Sequence, residues 1–141
     1  MKRLLLILIC ITLIFSCKEK DKEYNKNMET FKALVSEVNS YFENSDLKEI
    51  NIPEYYTKDF VFHSYIAGNK KGEKTLKYEY IDQLEKMKMM GISINIGHSI
   101  YLPGVDEKTF DLDGSVRVYY GATISIDTNH IDFSGYQTIN F

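Results

Sequence analysis

The pattern of apolar and polar positions divides the chain into an apolar leader, an amphipathic helix and a mixed remainder. "LLLILICITLIF" (Leu4–Phe15) is apolar except for one threonine and follows the basic start "MKR". From about Glu23 to Glu43 the apolar residues recur every three or four positions, which predicts an amphipathic helix. A shorter helical turn is predicted from Asp46 towards Tyr56, because Pro53 is tolerated near a helix start.

The remainder alternates in the manner of strands, with one more helix. Aromatic and β-branched residues predict a strand over Asp59–Ile66, and glycines predict a loop over Ala67–Lys74. The stripe within Leu76–Met90 predicts a helix that Gly91 ends. Three long antiparallel strands are predicted last: Ile92–Leu102, Ser115–Ile126 and Ile131–Phe141. This order predicts an α+β fold in which three helices cover one face of an antiparallel sheet.

The leader predicts export of the protein from the cytoplasm. A basic start and an apolar run shorter than the roughly 20 residues of a spanning helix are typical of a secretory signal peptide. "LIFSC" resembles the bacterial lipobox, with Ile14 and Ser16 in its aliphatic and small positions. The resemblance implies cleavage before Cys17 and attachment of lipid, such as palmitate, to its sulfur. Ordinary cleavage nearby and an uncleaved anchor are the alternatives.

Three segments follow from this interpretation. Residues 1–16 are the lipoprotein signal peptide, 17–27 the lipidated Cys17 and a charged spacer, and 28–141 one α+β domain. Removal of the leader leaves 15 basic against 20 acidic residues, a formal charge of −5. Because nucleic-acid binding needs a basic surface, we expect no nucleic-acid partner. Membrane lipid is the expected partner of Cys17, at the outer membrane or the periplasmic face, and no cofactor is expected.

Local motifs resemble the nuclear transport factor 2-like superfamily, and within it the SnoaL-like proteins. "SYFENSDLKEI" is similar to the end of that family's first helix, "YYTKDFVF" to the entry into its first strand, and "KKGEKTLKYEYIDQL" to the lead into its third helix. The resemblance implies a curved, cone-shaped sheet that encloses a pocket. The family's last strand has no counterpart before Phe141, so we expect an uncovered edge and a less stable domain than in full-length relatives.

Strand alternation predicts which residues line that pocket. On each predicted strand, every second residue is mostly apolar, and these residues form one face. The ranges are Phe60–Ile66, Ile92–Leu102, Val116–Ile126 and Ile131–Phe141, each counted from its first residue. Polar residues on these faces and on the first helix are the candidate ligand-binding set: Tyr41, Ser64, His98, Tyr120 and Gln137. A mostly apolar cavity with a few polar groups is the usual form of a small-molecule site. Hydrogen-bonded core residues are the alternative interpretation of the same set.

An enzymatic function has two candidate bases. Histidine is the residue type best suited to general base catalysis near neutrality, and His98 and His63 are the candidates. The steroid isomerases of this fold place an Asp near "HSY" and a Tyr near Val38, and this chain has neither. The hypotheses are therefore a small apolar or aromatic ligand, or a lyase, isomerase or hydrolase with a histidine base.

A third hypothesis is a homodimer through the outer sheet face. Arg117 and Tyr119 share that face, and a solvated surface is the alternative. No metal site is predicted, because the three histidines are far apart and "DLDG" (Asp111–Gly114) lacks the remaining ligands of a calcium loop.

Overall fold

The computed structural model describes residues 2–44, 51–65 and 72–141, with side chains from residue 21 onwards. Helix α1 spans Lys2–Glu43 and a 3₁₀ turn spans Ile52–Tyr55. Strands β1 (Val61–Ser64) and β2 (Glu73–Leu76) precede helix α2 (Lys77–Met89). Strands β3 (Ile92–Val105), β4 (Leu112–Ile126) and β5 (Asn129–Ile139) follow.

The architecture is α+β, as predicted. Strands β1 and β2 form an antiparallel hairpin, and β3, β4 and β5 form a three-stranded antiparallel sheet in that order. Two α-helices, not three, occur in the described part of the chain. The predicted second helix is reduced there to the 3₁₀ turn, and residues 45–50 of it lie outside the described residues. The predicted leader and Cys17 belong to the part of α1 whose side chains are not described.

The chain divides into two compact units. The terminal unit comprises Met1–Lys32, His98–Tyr120 and Ser134–Phe141, and the central unit comprises Ala33–Gly97 and Gly121–Phe133. Each unit has its own buried residues. In the terminal unit these include Phe31, Val116 and Val118; in the central unit they include Leu34, Val38, Phe42, Ile52, Leu84 and Ala122.

In the terminal unit, the packed part of α1 begins before Met28, the predicted start of the domain. Asn27 is buried, and its Nδ2 donates a hydrogen bond of 2.9 Å to the carbonyl oxygen of Gly114. One turn later, Phe31 packs edge-on against Tyr101 with ring centroids 6.3 Å apart. The last turn of the predicted charged spacer is therefore helical and contributes to the packed face of α1.

In the central unit, Asn39 joins α1 to the edge of the sheet. Its Nδ2 donates to the Ile96 carbonyl oxygen and its Oδ1 accepts from the Ile96 N–H, both at 2.8 Å. A side-chain amide thus makes the pair of bonds that a neighbouring strand would make. Lys88 joins α2 to α1 in the same unit. Its ammonium donates a hydrogen bond to the Tyr41 carbonyl oxygen and lies 4.1 Å from the centre of the Tyr41 ring.

The polar segment after the first strand contains a structure that its composition does not indicate. A loop is predicted over Ala67–Lys74, but Glu73–Leu76 forms β2 and pairs with β1, with Phe62 opposite Thr75. Thr75 is buried. Pairing with an existing strand therefore outweighs the weak strand propensity of "EKTL".

The turn between β3 and β4 is shorter than predicted. The sequence predicts a turn-rich stretch up to Gly114, whereas both strands extend into it and leave only Asp106–Asp111 between them. Asp106 organises this turn, because its Oδ1 accepts hydrogen bonds from the N–H groups of Lys108 and Thr109. Phe110 lies in the left-handed region at φ 59° with 80% of its surface exposed.

We predict that Asn39→Leu lowers the free energy of unfolding by about 1–3 kcal/mol, because both Ile96 backbone groups lose their partner. Urea denaturation of the two proteins measures the difference. Asn25→Leu is the control, since Asn25 lies on the same helix and is exposed. A loss no larger than that of the control would contradict a structural role for the Asn39 amide.

Candidate functional site

A concave surface lies in the central unit, beside the start of α2. It is an open groove of about 620 Å³. The 3₁₀ turn, the segment leading into β1, the end of β2 and the first two turns of α2 form its walls. The lining residues are Pro53, Lys58, Asp59, Phe60, Val61, Leu76, Lys77, Tyr78, Ile81, Asp82 and Glu85.

An aromatic cluster fixes one wall of the groove. Phe60 packs against Tyr56 with ring centroids 4.2 Å apart, and against Tyr80 at 5.7 Å. Tyr80 also contacts Phe62 at 5.2 Å. Phe60 is the member of the cluster that lines the groove, so its ring is held by neighbours on the side away from the open space.

The groove combines an apolar floor with a charged rim. Leu76 and Tyr78 line it although both are substantially exposed to solvent. The rim lysine Lys77 donates a hydrogen bond of 2.7 Å to the Tyr56 carbonyl oxygen. Asp82 pairs with Lys86 at 2.6 Å. This arrangement can accept an apolar group while its rim remains hydrated.

The start of α2 has an incomplete cap. The Leu76 N–H donates to Glu79 Oε2 at 2.8 Å, which satisfies one backbone group. Leu76 itself occupies the N-cap position and has no oxygen to offer the free N–H groups of the first turn. A leucine at this position weakens the helix start but supplies apolar surface to the groove.

The predicted ligand-binding residues are divided between the two units. Tyr41 and Ser64 belong to the central unit, and neither lines the groove. Tyr120 and Gln137 are half-buried in the terminal unit, and the Tyr120 ring lies directly over Gly135. A Cβ added at Gly135 would clash with Tyr120 Cζ, so a larger residue there would displace the end of this ring. The role of these residues in ligand binding stays a prediction.

The predicted side of His98 is wrong. Ile92, Ile94 and Ile96 are half-buried, but Gly97 and His98 are both exposed, and the protected side then passes to Ser99 and Tyr101. Tyr101 packs against Phe31 in the terminal unit, and the larger side chain takes the protected position. His98 consequently lies on the solvent side of β3.

The other candidate residues lie where alternation predicts. On β1, Phe62 and Ser64 are half-buried and His63 is exposed, with its ring stacked on Tyr65 at 6.4 Å. Tyr119 is exposed on the outer side of β4 and Arg117 is half-buried there. The Arg117 Nε is buried without a hydrogen-bond partner among the described residues. Over the side chains that the structure describes, no group of three potential metal ligands occurs.

Strand alternation does not predict the groove, because the residues that line it follow a different sequence pattern. Polar residues on apolar faces indicate one kind of pocket, whereas this groove consists of apolar residues that remain exposed. The available signal was the start of α2, where Leu76, Tyr78, Tyr80 and Ile81 spread apolar surface beyond a single helical stripe.

Comparison with protein-family models, with curated proteins and with solved structures found no match. Within the described residues, no helix is both long enough and apolar enough to cross a membrane.

Tyr56 offers a test of the aromatic cluster. Burial, with a smaller contribution from neighbouring Tyr80, raises the pKa of the Tyr56 hydroxyl far above its ordinary value of 10.0. Above pH 10 the Tyr56 hydroxyl loses its proton in the unfolded chain and keeps it in the folded chain. The stabilisation that Tyr56 contributes is therefore complete below pH 10 and is lost as the pH rises further.

We expect the free energy of unfolding to fall more steeply above pH 10 in the wild type than in Tyr56→Phe, by up to about 1.4 kcal/mol per pH unit. Urea denaturation between about pH 9 and pH 11 measures both slopes. Below about pH 9 the free energies of unfolding of the two proteins should change with pH in parallel, because the phenol is protonated in both the folded and the unfolded state. Parallel curves throughout would show that the hydroxyl is not protected.

Proposed function

We propose that the chain is a bacterial lipoprotein that is attached to membrane lipid through Cys17 and binds a small apolar or aromatic molecule outside the cytoplasm. The groove beside α2 is the observation that carries the binding part. Its volume of about 620 Å³ lies within the roughly 300–1,000 Å³ of small-molecule sites. The leader "MKRLLLILICITLIFSC" carries the anchoring part.

The chemistry of the groove supports an apolar ligand with few polar groups. Phe60, Leu76 and Ile81 offer apolar contact, and burial of such surface contributes about 25 cal/mol per Å². Polar groups of the ligand would lie towards the rim, where Lys58 and Glu85 can hydrogen-bond to them. An aromatic ligand gains further from ring contact with Phe60, whose orientation is already fixed.

The finer fold assignment belongs to the same proposal. We infer a SnoaL-like domain from the local likenesses "YYTKDFVF" and "KKGEKTLKYEYIDQL". The first includes the start of β1, and the second includes β2 and the first part of α2. Both likenesses contribute residues to the groove. The likeness and the groove thus support a ligand-binding role through the same stretch of chain.

Leu76→Ser tests the groove with little risk to folding, because serine is a favoured N-cap residue and leucine is not. We expect the dissociation constant of Nile red, a neutral apolar fluorescent probe, to rise about fivefold, corresponding to a loss of about 1 kcal/mol of apolar contact. Fluorescence titration measures the binding. Met89→Ser is the matched control, since Met89 is an exposed apolar residue at the other end of α2.

A Tyr120→Phe, Gln137→Leu double variant distinguishes the groove from the cone pocket predicted from strand alternation. Binding that is unchanged in this variant and weakened in Leu76→Ser supports the groove. The reverse result would assign the ligand to the cone pocket. Absence of saturable probe binding in the wild type would refute both locations.

Metabolic labelling with an alkyne analogue of palmitate tests the anchor. In a bacterial host, we expect the full chain to incorporate the label and Cys17→Ala to incorporate none, because the acyl chains would depend on the Cys17 sulfur. Cys10→Ala is the control and should label normally. Equal labelling of Cys17→Ala and the wild type would exclude lipid attachment at Cys17.

A further inference from the structure

The two edges of the three-stranded sheet differ in how their backbone groups are satisfied. At the β3 edge, the Asn39 side chain occupies both the N–H and the carbonyl of Ile96. Strand β5 is the other edge, and among the described residues no further strand lies beside it. An edge strand presents unpaired backbone groups to any extended chain that approaches.

Part of β5 lacks two features that commonly discourage such pairing. We call Ser134–Ile139, "SGYQTI", the β5 edge segment; it belongs to the terminal unit. It contains no charged residue and no proline, the two residue classes that commonly protect an edge. Its alternation is regular, with Gly135, Gln137 and Ile139 half-buried and the residues between them exposed. The segment is therefore a regular two-sided strand with an open edge.

We propose that the β5 edge segment pairs with the same segment of a second copy of this chain. The two segments run antiparallel about a two-fold axis, so that two three-stranded sheets join into one. Such an interface is isologous, because each copy contributes the same residues. This contact uses the backbone of the strand edge and differs from the face-to-face contact through Arg117 and Tyr119 that the sequence predicts.

Charge favours a second copy as the occupant. When a strand pairs with itself about a two-fold axis, a charge close to the axis is brought near the same charge of the other copy, and like charges that lie opposite each other are destabilising. The β5 edge segment carries no charge, so self-pairing has no such cost. A neutral edge also gives no electrostatic preference for a basic or an acidic peptide.

An exposed aromatic pair lies beside the segment. Tyr119 on β4 and Tyr136 on β5 are in contact, with ring centroids 4.6 Å apart, and about half of each side chain is exposed. Pairing brings a second such pair to the same side of the joined sheet. Aromatic side chains reach diagonal neighbours on adjacent strands, so each copy shields apolar surface of the other.

The expected contact is weak and reversible. Six residues of strand extend about 20 Å. A contact of this length buries less surface than the roughly 800 Å² per partner of a stable dimer. A covalent trap is therefore better suited to detect the contact than a measurement of mass at low concentration.

The test is disulfide trapping in the full chain with Cys10→Ser and Cys17→Ser, so that each introduced thiol is the only one. Single cysteines replace Ser134, Tyr136, Gln137 or Thr138, and mild oxidation is followed by non-reducing electrophoresis. We expect one position to give at least about five times the dimer of Asn95→Cys, since a disulfide requires Cα atoms within about 7 Å. Asn95 is an exposed control on β3, the other edge strand, next to Ile96.

The yield should peak at one position, because each residue further from the two-fold axis separates the two thiols by roughly 7 Å more. Adding Thr138→Lys to the best variant, or Tyr136→Lys where Ser134→Cys or Thr138→Cys is the best, should lower its dimer yield at least about threefold through repulsion of like charges, with an unchanged circular dichroism spectrum. Yields no higher than that of Asn95→Cys at all four positions, or equal yields at all four, would overturn self-pairing. A dimer yield that the added lysine leaves unchanged would also overturn it.

Discussion

Two hydrogen bonds between the Asn39 amide and the Ile96 backbone join α1 to the sheet edge in the central unit. A side-chain amide carries the same donor and acceptor as a peptide group, so it can complete the edge of a strand only from one position. Both bonds form when the Asn39 side chain faces Ile96, which sets the side of α1 that faces the sheet edge at this point. With the helix so placed, Leu34, Val38 and Phe42 are buried on one stripe. In the terminal unit, Asn27 binds the Gly114 carbonyl and makes a simpler contact of the same kind.

Much of the fold follows from local pattern in the sequence. The stripe of α1, the alternation of β1 and the span of α2 are visible as periods of 3.6 and 2, because each element buries one side. Gly91 ends α2 at φ 72°, a conformation that glycine adopts without strain. These elements are predictable because short-range pattern and long-range packing agree on them.

Two elements depend on partners that are distant in the sequence. Strand β2 exists because β1 pairs with it, and its residues "EKTL" have little strand propensity of their own. The protected side of β3 changes after Gly97 because α1 packs Phe31 against Tyr101, although Ile100 and Leu102 are the more apolar residues by pattern. In both cases a contact that a local window cannot contain decides the outcome.

The groove shows the same limit for the candidate site. None of the five residues predicted to bind a ligand lines it, because that prediction sought polar exceptions on buried faces. The groove instead forms where the 3₁₀ turn, the hairpin and α2 meet, and the apolar residues there remain partly uncovered. The sequence could indicate surplus apolar residues at the start of α2, but not that three other segments enclose them.

The β3–β4 turn links backbone strain to the packing of the terminal unit. An αL backbone costs a residue such as phenylalanine about 1–2 kcal/mol, and Phe110 has this conformation with most of its side chain in solvent. Two hydrogen bonds to Asp106 Oδ1 and one from the Phe110 N–H to the Asp106 carbonyl offset that cost. Because the turn is so short, β4 begins at Leu112 and Gly114 lies within the strand, where its carbonyl accepts the bond from Asn27. A longer turn, of the kind that the composition of residues 103–114 indicates, would remove Gly114 from the strand and leave the buried Asn27 amide without its acceptor. The strain at Phe110 is thus balanced by bonds inside the turn and by the helix contact that the short turn makes possible.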